Sequence, residues 1–248
     1  MPTVLITGCS SGFGLETARH FAERGWQVVA TTRSPNPDLF ASSDNIRNVT
    51  LDVTDTDSIA QAIDAAGPID ALVNNAGIGL LSAVEGTAMD VARALFETNT
   101  LGTIAVTQAV LPQMRQRGAG VIVNVTSTVT LHPLPLLAVY TATKAAVNAL
   151  TDSMAIELEP FGIRVRTVLP GRAPDTRFYN NAEARMSGAI PEAYNELAGR
   201  IIAGWQADDG PTTSAKEVAE GIWQAVTDER SKAHIPAGAD AVAFTQAW

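Results

Sequence analysis

The sequence predicts an α/β fold: a doubly wound parallel sheet with helices on both faces, built as a single domain over residues 1–248. Three observations predict it. Short apolar runs alternate with longer helical patterns through most of the chain, the rhythm of successive βαβ units. The apolar runs are near-continuous rather than alternating, as expected of strands covered on both faces. No repeat, low-complexity tract or linker divides the chain, and one large α/β sheet commonly fills this length.

Taken in order, Val4–Thr7 is the first strand and a helix runs from about Gly12 to Arg24. Gln27–Thr31 is the second strand, followed by a loop through Ser34, Pro35, Asn36 and Pro37. Ile46–Leu51 is the third, and a helix over Asp57–Ala65 is capped at about Asp55. Ile69–Val73 is the fourth strand, a long helical stretch covers about Met89–Arg117, and Gly120–Val125 is the fifth. A helix over about Val139–Leu158 leads to the strand Arg164–Leu169, and His234–Gly238 supplies a final short strand.

Between about residues 172 and 212 the rhythm breaks. This stretch carries Phe178, Tyr179, Met186, Ile190, Tyr194, Ile201, Ile202 and Trp205, and reads as a partly helical insertion with an apolar face. It follows the Arg164–Leu169 strand, and ligands of open α/β sheets bind outside the carboxyl ends of the strands. A substrate lid is the functional reading; ordinary core or an oligomer contact is the alternative.

Composition narrows the partners. Apolar residues make up 46% and charged residues 17%, which excludes a disordered chain or a coiled coil. The net charge is −9, so neither nucleic acid nor an anionic membrane is an expected partner. Cys9 is the lone cysteine and forms no intramolecular disulfide. The N-terminus lacks a basic stretch and a long apolar run, and no uncharged run reaches the roughly 18 residues that span a bilayer. The expectation is a soluble cytoplasmic protein. No cluster of His, Cys and carboxylates has metal-ligand spacing.

Thr7-Gly8-Cys9-Ser10-Ser11-Gly12-Phe13-Gly14 lies directly after the first strand and opens the first helix. Glycines there permit a tight turn, close approach of a pyrophosphate and close helix–sheet packing. The helix N-terminus offers N–H groups and a positive dipole end to an anion, and Ser10 and Ser11 add hydroxyls. A glycine turn by itself is also compatible with a purely structural role; its position at a strand-to-helix junction favours a dinucleotide. At the end of the second strand an NAD site usually carries an acidic residue for the ribose 2′-hydroxyl. Here Thr32 stands in that position and Arg33 follows. A guanidinium pairs with a 2′-phosphate where a carboxylate would repel it, so NADP(H) is expected over NAD(H). The alternative for Arg33 is a solvated surface cation.

Ser127 closes the fifth strand, and Tyr140 and Lys144 fall on the following helix. Their i, i+4 spacing puts phenol and ammonium on one face. Reducing a carbonyl requires a proton at oxygen as hydride reaches carbon, and a free tyrosine, with a pKa near ~10, is too weak an acid to work both ways. A neighbouring Lys⁺ lowers that value, and Ser127 can hydrogen-bond the developing alkoxide. Chance occurrence of Tyr-x-x-x-Lys is the bland alternative.

With these residues in order, residues 3 to 170 resemble the short-chain dehydrogenase/reductase family, whose members have the Rossmann fold. The resemblance implies that the Thr7–Gly14 loop binds the cofactor, that Asp52 and Val53 contact adenine, and that Asn74-Asn75-Ala76-Gly77 lies along the cofactor. It implies a proton relay in which Asn99 holds a water beside Lys144, completing a set with Ser127 and Tyr140. Pro170 and Gly171 match the turn beside the nicotinamide. The family often has a threonine five residues after that proline; here Asp175 stands there and Thr176 follows. Homodimers or homotetramers are implied, packing through the helices of Asn99 and Tyr140, with Trp248 a candidate interface residue.

The expected function is an NADP(H)-dependent reductase of an apolar ketone or aldehyde, its branch similar to steroid and retinol dehydrogenases and carbonyl reductases. An NAD-dependent alcohol dehydrogenase is the alternative within the enzymes, and a non-catalytic dinucleotide-binding regulator the alternative outside them. The intact Ser127, Tyr140 and Lys144 set speaks against the regulator. A sugar-nucleotide epimerase would need a larger C-terminal part. His132, in His132-Pro133-Leu134-Pro135, is either a substrate contact or a satisfied loop histidine, and the two prolines stiffen that segment.

Overall fold

The computed structural model describes residues 1–34, 36–176 and 190–246. Pro35, Phe178, Tyr179, Met186 and Trp248 lie outside the described residues. The strands are β1 (Thr3–Ile6), β2 (Gln27–Thr32), β3 (Ile46–Thr50), β4 (Ala71–Asn74), β5 (Gly120–Val125), β6 (Ile163–Pro170) and β7 (His234–Ala237). Among the described residues they form one sheet in the order β3-β2-β1-β4-β5-β6-β7, with every neighbouring pair parallel. This is the doubly wound parallel architecture expected from the continuous apolar runs.

Alternation along the strands builds two cores, one on each face. Val4 and Ile6 of β1 join Phe21 of α1 (Gly12–Glu23) and Ile222 of α7 (Ala215–Thr227) on one side. Leu5 joins Ile59 of α2 (Thr56–Ala66), Met114 of α4 (Gly102–Arg117) and Met154 of α5 (Ala138–Leu158) on the other. Caps fix the ends. Asp55 accepts hydrogen bonds from the N–H groups of Asp57 and Ser58 at the start of α2, as its sequence position suggests. Gly118 closes α4 at φ 69°, a left-handed conformation suited to glycine.

The structure departs from the sequence expectation in two places. The stretch Met89–Arg117 is not one α-helix: α3 (Met89–Phe96) passes through a π-helical turn, Glu97–Leu101, into α4. Asn99 and Thr100 sit in that turn, both buried. Secondly, β5 ends at Val125, and Ser127 opens a short 3₁₀ turn, Thr128–Thr130, instead of closing the strand. The breaking segment contains α6 (Asn195–Ala207), in keeping with the partly helical insertion expected there, and is followed by α7 and by α8 (Ala239–Gln246). A capping box between Ser214 and Glu217 starts α7. Among the described residues no helix is long and apolar enough to cross a membrane.

Strand order reverses between β1 and β4, whose carboxyl ends therefore border a crevice. Open α/β sheets bind ligands at such a switch point.

Candidate active site

The loops after β1 and β4 are laced together at this switch point. The Thr7 hydroxyl accepts the backbone N–H groups of Asn75 and Ala76, both at 3.0 Å. The Asn75 side-chain amide returns hydrogen bonds to the carbonyls of Thr7 at 2.8 Å and Gly8 at 3.1 Å. The glycines are steric requirements of this contact. Gly8 has φ +74°, and a Cβ on it would lie 2.9 Å from Cα of Ala76. A Cβ on Gly14 would meet the Gly8 carbonyl and lie 2.5 Å from Nδ2 of Asn75. Ser11 is extended at the N-cap of α1 and its own side chain makes no capping bond. The first-turn N–H groups thus lack this usual partner at the place where a pyrophosphate would lie. The cradle fits a dinucleotide. Gly14→Ala should lower stability by about 1–3 kcal/mol or more, because backbone stands where the methyl would go; a melting temperature equal to wild type would contradict the packing described.

At the end of β2, Thr32 is buried and its hydroxyl bonds within the protein, to the Ser34 carbonyl at 2.8 Å and Oδ1 of Asn48 at 3.1 Å. Arg33 is exposed beside it. In the next loop the Thr54 backbone N–H holds the Asp52 carboxyl below its ordinary value, partly opposed by desolvation, with the Thr54 hydroxyl and Arg33 adding to the lowering. Val53 is buried against the start of α4, where Gly102 leaves room for it.

Asn99, Gly77 and Lys144 converge. A Cβ on Gly77 would lie 3.3 Å from both Oδ1 of Asn99 and Nζ of Lys144. The Asn99 amide is fully engaged: Oδ1 accepts the Ile78 N–H at 2.8 Å, and Nδ2 donates to the Ile78 carbonyl at 2.9 Å and the Thr143 hydroxyl at 3.0 Å. Thr143 in turn donates to the Tyr140 carbonyl at 2.7 Å. The π turn is thereby tied to the helix that carries Tyr140 and Lys144. Tyr140 is 6% exposed and packs with Leu80 and Leu95, with Val129 against the cluster. Ser127, 9% exposed, accepts the Val129 N–H at 3.3 Å.

The Lys144 ammonium is also buried and donates to the Val125 carbonyl at 3.0 Å. Burial pushes its pKa down from 10.5 to about 8. Between those values the unfolded chain binds a proton that the folded chain does not, so the stability cost of this group is full below pH 8 and fades as pH rises to 10.5. In denaturant unfolding, wild type should therefore gain about 3 kcal/mol relative to Lys144→Met between about pH 7 and about pH 11. A difference independent of pH would contradict the buried ammonium.

Pro170 ends β6 and Gly171 follows. Thr176 reaches the glycine loop: a Cβ on Gly12 would lie 3.6 Å from Cβ of Thr176. His132 packs edge-on against Phe244 with ring centroids 4.9 Å apart, and its Nε2 lies 3.4 Å from the Phe244 carbonyl. It is a docked loop histidine in this structure. Leu136, in the same loop, is buried at φ 64°, an uncommon conformation for a branched residue. Its carbonyl accepts the Ser82 N–H at 2.8 Å. Its side chain joins Ala83 and Ala198, with Leu81, Tyr194 and Ile201 against them. Neither the Leu136 conformation nor the Ser82 bond is legible in sequence, since a positive φ ordinarily calls for glycine.

A parallel sheet with a glycine-cradled helix N-terminus at its switch point defines an α/β protein of the dinucleotide-binding class. A family model for the short chain dehydrogenases matches residues 2–186. An uncharacterised oxidoreductase of Bacillus subtilis (strain 168), YusZ, is 37% identical over 240 residues, covering 92% of this chain and 85% of that one. Retinol dehydrogenase 8 of Homo sapiens is 39% identical over 180 residues, and the match covers 68% of this chain and 58% of that longer protein. Among solved structures, a short-chain dehydrogenase from Streptomyces avermitilis superposes with TM-score 0.84 at 33% identity, covering 99% of this chain and 91% of its own. The closed form of a serine dehydrogenase complexed with NADP+ superposes with TM-score 0.80 at 27% identity, covering 95% and 94%. The chain belongs to the short-chain dehydrogenase/reductase family and is an oxidoreductase of that family.

Proposed function

We propose that this protein is an NADP(H)-dependent oxidoreductase that interconverts an apolar ketone or aldehyde and its alcohol, with Tyr140 as proton donor and acceptor. The observation that carries the reading is the buried Lys144 ammonium, one helical turn from Tyr140 and against Asn99 and Gly77. A buried cation is costly, and it has a chemical use here because it favours the phenolate of a neighbouring tyrosine.

The Thr7–Gly14 loop and Asn75-Ala76-Gly77 would hold the dinucleotide, whose nicotinamide ring would supply or accept the hydride. Tyr140 gives its phenolic proton to the substrate oxygen in reduction and recovers it in oxidation. Lys144 stabilises the phenolate between these steps, and the Asn99–Thr143 bond ties the π turn to the helix that carries both Tyr140 and Lys144. Ser127 donates its hydroxyl hydrogen to the substrate oxygen and fixes its direction. Thr32 and Arg33 would border the adenosine ribose, and Arg33 would pair with a 2′-phosphate. The NADP+ bound by the serine dehydrogenase supports that choice.

The apolar contact between Leu136, Ala83 and α6 supports a hydrophobic substrate and a lid role for the described part of 172–212. Exposed Leu101 and Ile156, on the helices of Asn99 and Tyr140, support a homo-oligomer. Initial rates with a panel of apolar ketones and aldehydes, using NADPH and NADH in parallel, test the function. Turnover with NADPH preferred is expected. Tight cofactor binding without turnover across the panel would favour a binding protein.

A further inference from the structure

The β6–β7 ladder ends at the pair Pro170 and Ala237. Beyond it the turn has lost its regular partners: the next bond, Gly171 N–H to the Ala237 carbonyl, is stretched to 3.4 Å. Interior backbone N–H groups require other acceptors, and the last helix brings them. Oδ2 of Asp240 accepts the Arg172 N–H at 2.6 Å. Oδ1 accepts the Thr213 hydroxyl hydrogen at 2.6 Å, and the same hydroxyl oxygen accepts the Gly171 N–H at 3.0 Å. A Cβ on Gly171 would collide with this carboxylate, so the glycine leaves room for the aspartate as well as for the turn.

Two contacts extend the brace. Phe244, one turn after Asp240 on α8, carries His132 of the loop between Ser127 and Tyr140. The Arg172 side chain donates to the carbonyls of Trp205 at 2.9 Å and Asp208 at 3.1 Å, at the end of α6. One face of α8 thus touches both walls of the candidate site, while belonging to none of the motifs.

Resting on the cofactor reading above, we propose that Asp240 is a positioning residue that fixes the Gly171–Arg172 turn against the nicotinamide half of the cofactor, with Thr213 as its intermediary. Short charge-assisted bonds hold a turn more stiffly than neutral ones, which suits a wall against which a ring must stack in one orientation. The adenosine half is bound by other loops and does not depend on this carboxylate.

The test is calorimetric titration of wild type, Asp240→Ala, Thr213→Val and Thr213→Ser with two ligands: NADPH, and 2′-phospho-ADP-ribose, which lacks the nicotinamide. Asp240→Ala and Thr213→Val should weaken NADPH by ~10-fold or more, the loss expected of one to two such bonds, and should lower kcat. Both should bind the nicotinamide-free ligand within about twofold of wild type, and Thr213→Ser should restore NADPH binding. Retained binding of the shorter ligand certifies the fold, and Thr213→Val carries the test if Asp240→Ala does not fold. Parallel loss of both ligands, or no loss of either, overturns the proposal. Wild type binding neither NADPH nor NADH would instead overturn the cofactor reading beneath it.

Discussion

Tyr140→Phe should lower kcat by about three orders of magnitude while leaving the dissociation constant for NADPH within about twofold. The substitution removes one hydroxyl and keeps the ring. The ring packs with Leu80 and Leu95, so phenylalanine refills the same space and the fold should persist. The Thr143 bond to this residue goes to its backbone carbonyl and is unaffected, so Lys144 stays on the same helix face. The transferable proton is lost with the hydroxyl. Single-turnover kinetics beside a binding titration separates the two quantities. Near-normal turnover would remove Tyr140 from the chemistry.

Arg33→Asp should change the NADPH-to-NADH ratio of kcat/KM by about two to three orders of magnitude. A lost charge-assisted bond to the 2′-phosphate accounts for about 1.5–3 kcal/mol, and the introduced carboxylate adds repulsion to the phosphate while favouring a ribose hydroxyl. The Thr32 hydroxyl already bonds to Ser34 and Asn48, and Arg33 is the exposed cation beside it. Steady-state rates with both cofactors check this. Equal losses with both would assign Arg33 to the solvated surface.

Much of the fold was legible because its determinants are local. The continuous apolar runs of β1, β2 and β5 are a two-sided burial pattern that the chain itself displays. The glycines at 8 and 14 are legible from their spacing at a strand-to-helix junction, although Ala76 and Asn75, which they approach, lie in the distant loop after β4. The π turn at Glu97–Leu101 was hidden, because one wider turn hardly alters the apolar spacing of a long helix. Asp240 was hidden for a different reason. Its partners lie 68 and 27 residues away, and an exposed-looking aspartate in a C-terminal helix carries no local sign of them. Ser214 and Glu217 are the opposite case: the capping signal for α7 is present in sequence and is read only once the helix is known. The packing of His132 on Phe244 was hidden as Asp240 was, since the two rings lie 112 residues apart in sequence.

The central claim is hydride exchange between a nicotinamide cofactor and a carbonyl carbon at this site. It is tested most directly by incubating the enzyme with stereospecifically 4-deuterated NADPH and an apolar ketone that it reduces, then measuring deuterium in the product alcohol by mass spectrometry. One of the two cofactor labels should place a single deuterium on the carbinol carbon, with none transferred by Tyr140→Phe on the same timescale. Product alcohol free of deuterium from both labels, or cofactor oxidation without any alcohol formed, would contradict the account.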